Sequence, residues 1–129
     1  MIKYEEILEE LQKRTGNSEK QVLYGITANQ TQGIKLETVP RVCIEKFYVK
    51  DQTKASYVTL GGIKVNKDSL KYKKDGNYHQ VYKNVEELAR HVWLLANKYE
   101  IARKLEACND YNTVNYINNV LDLKGDIHG

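Results

Sequence analysis

Between Leu70 and Lys83 the chain reads LKYKKDGNYHQVYK, so lysines and tyrosines are interleaved on both sides of an Asp75-Gly76 pair. Lysine offers a compact point charge to a phosphate, and tyrosine offers a flat ring with a polar tip. Asp-Gly between two β-forming runs is among the strongest short-range hairpin signals. In extended arms, residues of one parity share a face. Leu70, Tyr72 and Lys74 then face one way, and Lys71 and Lys73 the other. On the second arm Tyr78, Gln80 and Tyr82 oppose His79, Val81 and Lys83.

Two uses of these residues follow. As sheet packing, Tyr72 pairs across the strands with Tyr78 or Tyr82, while lysines keep an exposed edge from aggregating. As a binding surface, the lysines track phosphates while one or two tyrosines stack on bases. The ligand-binding set this gives is Lys71, Lys73, Lys74, Tyr78, His79, Tyr82 and Lys83. Arg90 joins it, and Arg41 and Arg103 add bidentate contacts if the fold brings them near.

The charge distribution favours the same region. The whole chain is only +3, too mild a balance to argue for nucleic acid. Residues 64–83, however, hold six lysines against Asp68 and Asp75, a local +4 that leaves −1 for the rest.

Other chemistry finds less support. His91 lies one turn after Glu87, but a metal site needs three or four converging ligands, so a surface ion pair is expected. His128 falls in a tail. Carboxylates show no isolated pair in apolar surroundings of the kind acid–base work requires. Glu45 falls inside an expected strand, where a solvated pair with Lys46 is the simplest reading. The P-loop, dinucleotide and nucleophile-elbow motifs are absent. Gly61-Gly62 followed by Lys64 is too short to cradle a polyphosphate. The expectation is a non-catalytic protein without cofactor or metal.

Residues Leu11 to Ile26, LQKRTGNSEKQVLYGI, resemble the helix-turn-helix of DNA-binding proteins. Gly16 sits at the turn, Ser18 at the start of the second helix, and Val22 and Ile26 on its buried side. The resemblance implies that Glu19, Lys20, Leu23 and Tyr24 face a major groove. It departs from the pattern at Asn17, where the turn usually carries an apolar residue, and at Gln12, where the first helix usually has a small one.

Several elements must position these residues. Tyr4 to Arg14 is an amphipathic helix with Tyr4, Ile7, Leu8 and Leu11 on one face. Ser18 and Gln21 offer a capping box for a helix over Glu19 to Ile26, although Val22, Tyr24 and Ile26 also alternate as in a strand. Thr27 to Gly33 is a polar loop. Val42 to Val49 reads as a strand entered after Pro40. Asp51 to Lys54 turns the chain, and Tyr57 to Leu60 and Ile63 to Val65 flank a Gly61-Gly62 turn. With the Lys/Tyr hairpin this gives an antiparallel meander of about five short strands between residues 42 and 83.

The pattern then changes period. Asn84 caps a helix of about 22 residues with Val85, Leu88, Val92, Leu95, Tyr99 and Ala102 along one seam, widened by Ala89, Trp93 and Ala96. Asp110 caps a last helix carrying Val114, Ile117 and Leu121 and ended by Gly125. The fold expected is a single α+β domain over 1–129: a short N-terminal helix or helix pair, the meander, and two C-terminal helices packed on the sheet.

At 129 residues, 41% hydrophobic and 29% charged, the chain is large enough to bury a core of its own. The N-terminus lacks signal-peptide character, and no apolar run approaches a membrane span, so a cytoplasmic protein is expected. Cys43 and Cys108 read as buried free thiols. Rich Asn, Lys, Ile and Tyr with little Arg or Pro is the usage of an AT-rich genome, such as that of a low-GC bacterium, its phage or a mobile element.

The leading expectation is an accessory or anti-defence protein that sequesters a phosphate-bearing ligand, either nucleic acid or a nucleotide signal. The competing expectation is an interaction module that inhibits a host enzyme through the apolar seam and Trp93. A homodimer is possible on the same seam.

Overall fold

The computed structural model describes residues 1–16, 21–27 and 33–128, with only the backbone of 124–128. In chain order it contains α1 (Tyr4–Thr15), β1 (Val22–Thr27), β2 (Ile34–Lys35), β3 (Cys43–Gln52), β4 (Ser56–Thr59), β5 (Lys64–Asn66), β6 (Lys71–Lys74), β7 (Asn77–Tyr82), α2 (Val85–Ala107) and α3 (Tyr111–His128). The chain divides into two compact units, one over 2–96 and the other from Asn97 onward with Met1.

The α+β class is as the sequence implies, but the sheet is not a simple meander. Its strands run in the order β5-β4-β3-β1-β7-β6, all pairs antiparallel, with β2 laid on β3 at Ile34 and Lys35. The end strands β5 and β6 approach one another, which gives the sheet a barrel-like form. Strand β1 makes the closure possible: it enters between β3 and β7, which the meander alone leaves unpaired.

Residues 22–27 are therefore strand and not helix, so the helix-turn-helix reading fails. The alternation of Val22, Tyr24 and Ile26 prevailed because both faces of this central strand are buried. Leu23 faces the barrel interior, and Val22 and Tyr24 face the helices. The Ser18 cap lies outside the described residues.

Two apolar clusters result. The barrel interior is filled by Leu23, Phe47, Tyr57, Val65, Tyr72 and Val81, one side chain from each of the six barrel strands. Gly25, two residues on from Leu23 along β1, keeps room for the Phe47 ring: a Cβ there would stand 3.0 Å from Phe47 Cε2. The second cluster joins Ile7 and Leu11 of α1, Val22, Tyr24 and Ile44 of the sheet, Leu36, Val39 and Val42, and Leu88, Ala89 and Val92 of α2.

Glu10 pins α1 to the segment before β3. Its carboxylate accepts from the Glu37 N–H at 2.5 Å, the Thr38 N–H at 2.9 Å, the Thr38 hydroxyl at 2.5 Å and Arg14 Nε at 2.9 Å. Lys46 Nζ donates to the Thr15 carbonyl at the C-terminal end of α1, where a cation suits the helix dipole.

The expected seam of α2 is covered only in its first half. Leu88, Ala89 and Val92 are buried, with Val85, Trp93 and Ala96 beside them, whereas Leu95 and Tyr99 are exposed. Asn84 caps α2 through the Glu87 N–H at 2.8 Å, and Asp110 caps α3 through the Thr113 N–H at 3.0 Å. The last helix runs through Gly125 rather than ending there. In its unit Ile101, Tyr111, Val114, Tyr116, Val120, Leu121 and Leu123 are exposed. Cys43 is buried, but Cys108 is only partly covered. No helix among the described residues is long and apolar enough to cross a membrane.

Candidate nucleic-acid interface

The hairpin forms with the expected turn. Asp75 and Gly76 both take positive φ, +53° and +82°, the two-residue geometry that matches the twist of the flanking strands. The register is Lys71↔Gln80, Tyr72↔His79, Lys73↔Tyr78 and Lys74↔Asn77. Tyr72 therefore does not pair with Tyr78 or Tyr82, as the sequence suggested. It stacks on His79, ring centroids 5.1 Å apart and 21° from parallel, and meets Phe47 edge-on at 5.5 Å.

These pairings give the hairpin two unlike faces. Tyr72, His79 and Val81 turn toward the barrel interior. Burial, with a smaller contribution from the Glu45 carboxylate, raises the pKa of the Tyr72 phenol. Glu45 itself shares this side with Phe47, while Lys46 points to the opposite face and is engaged by Thr15, so the expected Glu45–Lys46 pair does not form.

The other face carries Lys71, Lys73, Tyr78 and Gln80. Tyr78 is 71% exposed, and Lys73 Nζ stands 5.9 Å from its ring centroid. Gln80 holds the base of the hairpin by donating to the carbonyls of Ser69, Leu70 and Val81 at 3.1–3.2 Å.

The structure thus brings together only part of the expected ligand-binding set. Lys71, Lys73 and Tyr78 share one open face. Lys74 and His79 lie on the other, with His79 occupied by Tyr72. Tyr82 is half-buried against His91, centroids 5.4 Å apart, and its phenol pKa is raised by burial and then by Glu87. His91 is consequently a packing residue, with its pKa lowered by burial, and not the surface partner of Glu87. Arg90 is exposed on α2, and Arg41 donates to the Leu95 carbonyl at 2.7 Å. Arg103 belongs to the other unit.

Lys83 lies beyond β7 with its Nζ 5.9 Å from the Tyr57 ring centroid, and Lys67 reaches the same ring at 5.2 Å. Sequence reasoning missed Lys67 and Tyr57. The available signal was positional, since each lysine immediately follows the end of a strand. Among the described residues no three His, Cys, Asp or Glu side chains gather to hold a metal ion. Comparison with known protein families, curated proteins and solved structures finds no match for this chain.

Proposed function

We propose that the protein binds single-stranded nucleic acid across the outer face of the β6–β7 hairpin. The observation that carries this reading is the cross-strand pair Lys73–Tyr78, an exposed ring with an ammonium 5.9 Å from its centroid and Lys71 on the same face. An aromatic platform flanked by cations suits a strand whose bases are free to stack, and it needs no sequence readout. The face is open, which favours a polymer laid along it over a nucleotide signal enclosed in a pocket. Such a protein coats or sequesters its target without catalysis, in keeping with a phage or mobile-element accessory role. Fluorescence anisotropy with a labelled oligothymidylate or oligouridylate tests the reading. Binding should weaken steeply with salt, and changing Lys71, Lys73 and Lys74 together to Gln should abolish most of it. Undiminished binding by that variant overturns the reading.

A second reading concerns the helical unit, favoured by its exposed apolar side chains. Between Asn97 and Ala107, α2 carries a net +1 (Lys98, Arg103 and Lys104 against Glu100 and Glu106), while Asp110 to Leu123 carries −2 through Asp110 and Asp122. A second copy related by a two-fold axis pairs these unlike charges as it covers Val114, Val120 and Leu121. Sedimentation at high micromolar concentration should report a dimer, and a Val120→Glu/Leu121→Glu variant a monomer. A monomeric parent contradicts this reading.

A further inference from the structure

A cleft of about 480 Å³ lies within the 2–96 unit, where the end of α1, the start of α2 and Tyr24 of β1 meet. Its size suits a small molecule. Two helix ends of opposite polarity line it. Helix α1 stops at Thr15 with Gly16 beyond, and α2 starts at Val85 after Asn84. The carbonyl end of the first helix is the negative end of its dipole, and the N–H end of the second is the positive end.

The first N–H groups of a helix have no partner within it. Asn84 takes the Glu87 N–H at 2.8 Å through its side chain and the Leu88 N–H at 3.3 Å through its carbonyl. The Val85 and Glu86 N–H groups are left without an acceptor among the described residues. A third donor is the Tyr24 hydroxyl. Tyr24 is only 9% exposed, with its ring packed in the apolar cluster beneath the helices. Its hydroxyl has no hydrogen-bond partner among the described residues, yet no side-chain oxygen there is both sealed from solvent and unpartnered. The hydroxyl therefore opens outward, and the cleft that Tyr24 lines is where it does so. Burial, and then the charges of Tyr48 and Glu86, raise the pKa of this phenol, so it stays a donor.

Three such donors take an oxyanion, as a helix N-terminus commonly does. The Glu86 carboxylate, close enough to act on the Tyr24 phenol, opposes a ligand of net negative charge. No described cation answers it. Glu86 forms no ion pair among the described residues, Lys46 Nζ is engaged by the Thr15 carbonyl, and Lys83 Nζ is turned to the Tyr57 ring. A ligand with an ammonium beside its carboxylate satisfies both demands. We propose that the cleft binds a free α-amino acid. The Val85 and Glu86 N–H groups and the Tyr24 hydroxyl hold its carboxylate, and the Glu86 carboxylate holds its ammonium. The site goes beyond the nucleic-acid reading and uses none of the hairpin face.

The test is an NMR titration of the full chain, following the Val85 and Glu86 amide signals and the Tyr24 ring. L-Alanine, whose side chain demands little of the walls, is compared with acetate, methylammonium and inorganic phosphate at equal ionic strength. Saturable movement of all three signals with L-alanine is expected, with each of the other probes at least about tenfold weaker. Tyr24→Phe removes only the hydroxyl from a packed ring and should weaken L-alanine about tenfold, the usual worth of a hydrogen bond to a charged group. Glu86→Gln, at an exposed position, should weaken L-alanine by a similar factor and leave acetate no weaker.

Absence of saturable movement with L-alanine overturns the proposal. Acetate or phosphate binding as tightly as L-alanine also overturns it, since the cleft is then a plain anion site. Unaltered L-alanine affinity in Tyr24→Phe, with the rest of the spectrum unchanged, overturns it as well.

Discussion

Tyr72 and Tyr78 lie six residues apart on one hairpin, each among lysines, yet Tyr72 is 9% exposed and Tyr78 71%. Strand parity separates them. Tyr72 points into the barrel with His79 beside it and Phe47 against its edge, while Tyr78 points outward with Lys73. The same residue type thus serves stability on one face and offers a stacking surface on the other. Composition shows the richness of the segment, and register divides it between the two tasks.

The largest expected effect breaks the inner face. Tyr72→Ala removes a ring that fills the barrel, a change that costs about 3–5 kcal/mol for a buried aromatic. Urea denaturation should show that loss, whereas Tyr78→Ala should stay within about 0.5 kcal/mol of the parent. A comparable loss at both positions contradicts the division of faces.

Next is Gly25→Ala, which places a methyl 3.0 Å from the Phe47 ring. Overpacking of that kind costs about 1–3 kcal/mol. The same denaturation experiment measures it, and a neutral result means the barrel interior has slack beside Phe47.

On the outer face Tyr78→Ala should cost about 1–3 kcal/mol of oligonucleotide affinity, the usual worth of one stacked base. Lys73→Gln should do less, lowering the log–log salt slope by about 0.7 as one phosphate contact is lost. Anisotropy at several salt concentrations reads both changes.

The smallest effect lies away from the hairpin, at Glu10. Burial acts to raise its pKa, but the N–H groups of Glu37 and Thr38, the Thr38 hydroxyl and Arg14 together hold it below the ordinary value. A carboxyl depressed in the folded state binds its proton more readily when unfolded, so it adds stability above its unfolded pKa. That contribution is lost as pH falls through the folded value. Stability measured from pH 6 down to pH 3 should decline less steeply in Glu10→Gln, which starts lower. Parallel pH profiles contradict this role.

Much of the hairpin is legible in the sequence, because Asp75-Gly76 fixes a two-residue turn and the turn fixes the parity of each arm. The partner of Tyr72 is not legible, since a cross-strand pair depends on where the ladder starts. For the same reason Tyr82, similar to Tyr78 in sequence, is drawn against His91 once β7 pairs with β1. Strand β1 itself shows how tertiary burial decides between two local patterns. Helix capping and strand alternation both fit residues 18–26, and a central strand buried on two faces selects the second. Lys67 and Lys83 come together over Tyr57 only because three strand ends share one end of the barrel, a juxtaposition that local sequence does not carry.

The most direct test of the central claim is the salt dependence of oligothymidylate binding by the unaltered protein. If the face formed by Lys71, Lys73 and Tyr78 engages a strand, log Kd should rise with log salt at a slope of about 1.4, as two phosphate contacts require. A slope near zero, or no binding at low salt, contradicts it.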